Sequence, residues 1–173
     1  MRKVEFEIPG EPVPQGSMRA FQYRKKGKKG KWGVNQVYQN QKEVTRFRKE
    51  TKKVIKDIHD DFFVDDTDMG YIVEVIFYTV KPKSVTRPFP TVKGSGDVDK
   101  DIRALLDALT YSETKNPKGL YGDDAQVIRV IGTKLYTNED NPEPKTKVRI
   151  TKILLSNAES ELKKFTENVE GKC

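Results

Sequence analysis

Asp97, Asp99 and Asp124 are the residues of this chain whose type and spacing best support chemistry. Gly96-Asp97-Val98-Asp99 opens an amphipathic run, and Tyr121-Gly122-Asp123-Asp124-Ala125-Gln126 follows it, so acidic side chains gather around one helix start in an otherwise basic chain. Two carboxylates about 5 Å apart repel by roughly 3 kcal/mol at an effective dielectric near ~20, so holding such a group together favours a cation between its members. Magnesium takes carboxylate oxygens and keeps several waters, and a pair of such ions activates water and stabilises the leaving oxygen of a phosphodiester. The expected chemistry is metal-assisted phosphodiester hydrolysis, with Mg2+ as the ion and Mn2+ as a substitute.

Other uses of the same acids compete with this one. An N-cap needs a single carboxylate, at Asp97 or Asp99, and contributes about 1 kcal/mol. A calcium loop over Asp97, Asp99 and Asp101 fails because the glycine and the terminal acid it requires are replaced by Ile102 and Ala108. Asp99, Arg103 and Asp107 recur at four-residue steps, which puts Arg103 where it bridges acids or reaches a phosphate; Asp107 is then its structural partner or a functional acid. Asp123 is the weaker member of its pair, since neighbours on a strand point to opposite faces.

The rest of the composition narrows the class. With 173 residues, one domain is the default, and 33 Lys and Arg against 26 Asp and Glu point to a polyanionic partner, nucleic acid first. The single cysteine, Cys173, can neither staple a fold nor complete a zinc site. His59, the one histidine, falls within a helical pattern away from any nucleophile. No apolar run reaches the roughly 18–20 residues of a membrane helix, and the N-terminus has no hydrophobic signal region, so the expectation is a soluble, cytoplasmic protein without membrane contact.

The elements that must position the acids follow from periodicity. Residues 2–8 alternate, with Val4, Phe6 and Ile8 on one face; residues 71–80 are apolar on both faces and predict a central strand. Two further strands are expected over 125–136 and 146–155. A long helix is expected over 38–62 from Val44, Phe47, Val54, Ile55, Ile58 and Phe62, with Lys42, Arg46, Lys49, Lys53 and Lys56 on its opposite face as a phosphate track or a solvated surface. A second helix, 98–110, buries Ile102, Leu105, Leu106 and Leu109, and a last one starts near Ser156. Residues 81–96 and 111–122 read as loops. The predicted fold is α/β of the α+β kind: a small mixed four-stranded sheet covered by helices, in a domain over 1–155 followed by a helix and tail over 156–173.

Residues 24–31 hold six cations punctuated by Gly27 and Gly30, with Tyr23 and Trp32 at the edges. The segment reads as a flexible loop or hairpin tip, and the cations assigned to DNA are Arg19, Arg24, Lys25, Lys26, Lys28, Lys29, Lys31 and Lys100. Phe89, on the proline-rich loop before the acids, is a candidate wedge between bases or an ordinary packing residue.

The Asp-x-Asp pair opening a helix, the basic residue after it, Leu106-Asp107-Ala108-Leu109 and Asp123-Asp124-Ala125-Gln126-Val127 together resemble the RusA family of Holliday junction resolvases. Ile8-Pro9-Gly10-Glu11-Pro12-Val13-Pro14 resembles that family's opening, and the motifs run in order from about residue 4 to about 152. The resemblance implies a homodimeric, magnesium-dependent endonuclease that cuts four-way DNA junctions symmetrically, often encoded by phages and prophages. It implies that Asp97, Asp99 and Asp124 are the catalytic metal ligands, and it puts Arg103 where the family has a catalytic lysine. The chain departs from the pattern at Lys100, where the family has asparagine, and at Gln15-Gly16-Ser17-Met18-Arg19, where the family's opening is more basic. Two rivals stand beside this reading: a nuclease for other branched DNA, such as flaps or forks, and a junction-binding protein without catalysis.

Overall fold

A computed structural model describes residues 2–16, 18–24, 32–38, 40–62, 68–91, 96–111, 119–156 and 163. The strands are β1 (Arg2–Pro9), β2 (Met18–Arg24), β3 (Trp32–Tyr38), β4 (Met69–Thr79), β5 (Val127–Tyr136) and β6 (Lys145–Leu154). The helices are α1 (Gln41–Val54), α2 (Lys56–Phe62) and α3 (Val98–Leu109).

Four strands form the main sheet in the order β1-β6-β4-β5, antiparallel except for the parallel pair β4 and β5. A parallel pair needs a crossover connection, and α3 is that crossover, so the helix carrying Asp99 is fastened to the sheet at both ends by chain connectivity. The mixed four-stranded sheet and α+β class expected from periodicity are present. β4 is interior, and Tyr71, Val73, Val75 and Phe77 are buried on one face as the alternation required. Those residues meet Phe6 and Ile8 of β1, Val148 and Ile150 of β6, Val44 and Phe47 of α1, and Leu105 and Leu109 of α3 in one core.

Gly132 of β5 sits where α3 crosses, and a Cβ there would lie 2.6 Å from Ile102 Cδ1 and 3.2 Å from Val98 Cγ2. The absence of a side chain on that strand lets the first turn of α3, with its aspartates, settle against the sheet.

Two expectations need correction. The single helix over 38–62 is two helices, because the adjacent β-branched Val54 and Ile55 are poor helix formers and the chain takes a tight step there: Ile55 N–H bonds to Thr51 O, and Ile58 N–H bonds to Ile55 O at 3.1 Å. That step leaves Ile55 fully buried and turns Phe62 into the core, where Lys152 donates to its carbonyl at 2.6 Å. The polar loop expected over 111–122 ends in Leu120 and Tyr121, both fully buried, with Tyr121 bridged in parallel to Thr110. Residues 18–24 and 32–38 pair as an antiparallel hairpin, Arg24 opposite Trp32, in keeping with the hairpin-tip reading of the basic segment between them.

That hairpin brackets the basic segment, but Lys25, Lys26, Lys28, Lys29 and Lys31 lie outside the described residues, as does the helix expected beyond Ser156 apart from Lys163. Arg19 and Arg24 are placed by their strand alone. Among the described residues, no helix is long and apolar enough to cross a membrane.

Candidate active site

The chain enters α3 through Gly96, whose φ of +75° only glycine adopts easily; a Cβ there would also press on Pro14 Cγ at 3.2 Å. Lys134 of β5 donates from Nζ to the Gly96 carbonyl, pinning this corner to the sheet. Asp97 then occupies the N-cap position, with extended backbone and no side-chain cap hydrogen bond. Its carboxylate pairs instead with Lys100 Nζ at 2.6 Å, which holds its pKa below the usual range, with Lys134 adding a smaller pull. The helix therefore does not use Asp97 as a side-chain cap, and Asp97, Val98 and Asp99 stand exposed at its entrance.

Asp101 adds a carboxylate that spacing alone did not single out. It is 4% exposed, and burial pushes its pKa up to about 7, with the neighbouring Asp97 and Asp99 charges also raising it and Lys134 opposing them. Because the folded carboxyl holds its proton more tightly than the unfolded chain does, stability falls as pH rises from about 4 to about 7. Asp101→Asn, which keeps the shape without the charge, is expected to raise stability at pH 8 by roughly 1–3 kcal/mol and to change it little at pH 4. Urea unfolding at the two pH values checks this; an equal gain at both would mean that ionisation is not the cause.

A second acidic group lies at the other end of α3. Asp123 caps the 3-10 turn Asp124–Gln126: its Oδ1 accepts from Ala125 N–H at 2.8 Å, while Gln126 Oε1 accepts from the N–H groups of Gly122 at 2.9 Å and Asp123 at 3.2 Å. Asp123 and Asp124 thus part at a capped turn rather than along a strand as expected. Asp124 stands exposed on this turn, its pKa raised first by the burial it has, then by a carboxyl contact with Asp123 and by the charges of Asp123 and Asp107. Tyr121 packs beneath, donating to Leu106 O at 3.1 Å, with burial and the Asp124 charge pushing its pKa up.

Asp107 does not pair with Arg103. Its Oδ2 takes Arg48 Nη2 of α1, and the same nitrogen donates to Gln15 Oε1 at 3.1 Å. The four-residue spacing along α3 brought Arg103 and Asp107 to one side, but packing of α1 against α3 turns Asp107 inward and leaves Arg103 exposed. Phe89 is 54% exposed on its loop. Arg48, Gln15, Asp101 and Lys134 are the residues that sequence spacing did not mark, and only the alternation of Asp97, Asp99 and Asp101 hinted at any of them.

The expected ligands thus form two groups, Asp97 and Asp99 at the start of α3 and Asp124, on its own turn, toward Asp107 near the end of that helix. Among the described residues, no three His, Cys, Asp or Glu side chains converge as a closed cage. Magnesium is commonly bound through one or two carboxylates with waters and substrate phosphates, and exposed hard oxygen donors flanked by like charges fit that mode. The acids lie within a chain of net charge +7.

The sequence model of the family described as endodeoxyribonuclease RusA matches residues 9–151, from the end of β1 through most of β6. No curated protein resembles the chain closely enough to count as a match. The span takes in β4, β5 and most of β6, both acidic groups and the Arg48 contact that links α1 to α3, so the chain belongs to the RusA family of Holliday junction-resolving endodeoxyribonucleases.

Proposed function

We propose that this protein is a homodimeric, magnesium-dependent endonuclease that resolves four-way DNA junctions by symmetric hydrolysis, acting in the cytoplasm of a bacterial or phage-infected cell. The observation that carries the reading is the pair of exposed carboxylates at the entrance of α3, inside a chain that matches the family over residues 9–151. Asp97 and Asp99 would hold an ion at the entrance of α3, and Asp124 would offer a further ligand near the far end of that helix; a bound ion would supply a Lewis acid and an activated water. Arg103, exposed one turn beyond Asp99, grips the scissile phosphate through its planar guanidinium, whose donors suit phosphate oxygens. Two symmetric incisions need two such sites related by a two-fold axis, hence the dimer.

The test is a labelled junction beside a matched linear duplex, in Mg2+ and in Ca2+. Paired nicks on the junction in Mg2+ alone support the reading, nicks on flaps or forks instead move the substrate, and tight binding without cutting supports a binding module.

Duplex arms leaving the junction meet α1, whose Lys42, Arg46 and Lys49 are exposed on the side away from the buried Val44, Phe47 and Thr51. Replacing these three by glutamine is expected to make the log-log salt dependence of junction binding shallower by about 2.7, at about 0.9 per phosphate contact. Anisotropy titrations from 50 to 200 mM salt, roughly the range in which such contacts act, check this; an unchanged slope assigns the phosphate contacts to the basic hairpin instead.

A further inference from the structure

The side of the main sheet that faces away from the core carries no described helix, since α1, α2 and α3 all pack into the core on the other side. Register sets Glu5, Arg149, Glu74 and Ile131 in one row across this open side, and that row with the next, from Glu7 to Thr133, lines a groove of about 530 Å3. Ion pairs run between its walls: Arg149 meets Glu5 at 2.6 Å and Glu74 at 3.5 Å, and Lys147 meets Glu7 at 3.4 Å. With the two cations Lys147 and Arg149 against three carboxylates, the lining offers no positive field to phosphates, which argues against nucleic acid as the occupant. Ile131 is still 38% exposed there, so apolar surface is left for a partner.

The chain itself enters this side as it leaves β6. Leu155 N–H bonds to Asp68 O at 2.8 Å, and the Leu155 side chain lies over the open side: a Cβ on Gly70, which pairs with Ile153, would come 2.8 Å from Leu155 Cδ2 and 3.3 Å from Ile128 Cδ1. Thr151 and Ile153, on the same side at that end of β6, are each only 4% exposed. Leu155 and Ser156 are already helical, as is Lys163, and Ala158, Leu162, Phe165 and Val169 follow Leu155 at steps of three, four, three and four, which is one stripe of a helix. An isolated helix of about 15 residues is marginal in water, so such a stripe needs a surface to pack on. The reach matches: from Leu155 to Val169 a helix covers about 21 Å at ~1.5 Å per residue, and from Leu155 back to Arg149 a strand covers about 20 Å at ~3.3 Å per residue.

We propose that residues 156–169, beyond the family's matched span of 9–151, form a helix that folds back along β6 and β4 of the same chain and docks Phe165 and Val169 in this groove. The helix covers the open side of the sheet and leaves the side of α1 and α3 for DNA. The inference stands whether or not the protein cuts junctions.

Cys173 is the single cysteine, so a nitroxide placed there reports on this segment in the full chain without further substitution. Paramagnetic broadening is expected to remove the amide signals of Glu74, Ile76 and Ile131, while those of Lys42 and Arg46, on the outer side of α1, persist. Phe165→Asp in the same labelled chain is expected to restore the lost signals and to lower Tm by about 3–10 °C, the range for one apolar side chain taken out of a packed site in a chain of this size. A second sample mixes isotope-labelled Cys173→Ser chains with spin-labelled chains of natural isotope content, and its signals are expected to stay sharp. Broadening of Glu74, Ile76 and Ile131 in that mixture would mean that the tail of another copy fills the groove, which overturns the proposal. Sharp signals for these residues in the labelled wild type overturn it as well, and so do losses that Phe165→Asp leaves in place.

Discussion

Asp99→Asn is expected to lower junction cleavage by roughly 10³-fold, about 4 kcal/mol of barrier at ~1.36 kcal/mol per tenfold, while junction binding stays equal or tightens. The substitution removes one carboxylate oxygen and its charge without changing the side chain's shape. Asp99 is exposed in the first turn of α3, so little folding energy depends on it. The same change relieves repulsion among Asp97, Asp99 and Asp101 and removes a negative charge facing phosphates, which is why binding is not expected to suffer. Single-turnover cleavage in Mg2+ and anisotropy in Ca2+ separate the two effects. A variant keeping a tenth of the wild-type rate would show that Asp99 is not a ligand, and equal losses in rate and affinity would mean that the site had been disrupted as a whole.

Gly119→Ala carries the largest expected cost in stability, roughly 3 kcal/mol or more, which for a chain of this size is a fall in Tm of about 6–12 °C. Gly119 has φ +111°, and a Cβ there would lie 2.5 Å from the backbone C and O of Thr110 and from the N of Tyr111. These are main-chain atoms at the end of α3, held by the bonds from Leu120 N–H to Leu109 O and from Tyr111 N–H to Tyr121 O, each at 2.8 Å, so they cannot swing aside as a side chain could. Displacing them loosens Tyr121 and the capped turn that presents Asp124, so cleavage is expected to fall along with stability. Gly10→Ala is the control. Gly10 has φ +95° with nothing within 4 Å of the added Cβ, and only the backbone strain of about 1 kcal/mol remains. Equal losses at the two glycines would show that backbone conformation, rather than the closeness of Thr110, decides the cost.

The parts of the site that could be read in advance are those encoded over short distances. Ile102, Leu105, Leu106 and Leu109 recur at helical steps, so α3 and the acidic pair at its mouth follow from a single window of sequence. The alternation of Val4, Phe6 and Ile8, and of Tyr71, Val73, Val75 and Phe77, likewise assigns each side chain to a face before any partner strand is known. The glycine-punctuated basic segment allowed a hairpin tip, but the extent of β2 and β3 is set only when the two strands pair. The break at Ile55 escaped the same reading because a run of well-spaced apolar residues continues across it, and the tight step is favoured by where Ile55 and Phe62 must be buried.

The sequence by itself determined the α+β class, the order of the main-sheet strands along the chain, the family and the acids available for chemistry, because hydrophobic period and local motif are properties of neighbouring residues. Only the tertiary structure decided which charges meet. Arg48 and Asp107 are 59 residues apart, and Arg103 lost Asp107 to it through the way α1 lies on α3. The burial that lifts Asp101, the main-chain contact that makes Gly119 irreplaceable and the separation of Asp124 from Asp97 are set in the same way. Coulomb energy and desolvation depend on distance and burial across the fold, and neither quantity is written in the spacing of residues along one helix.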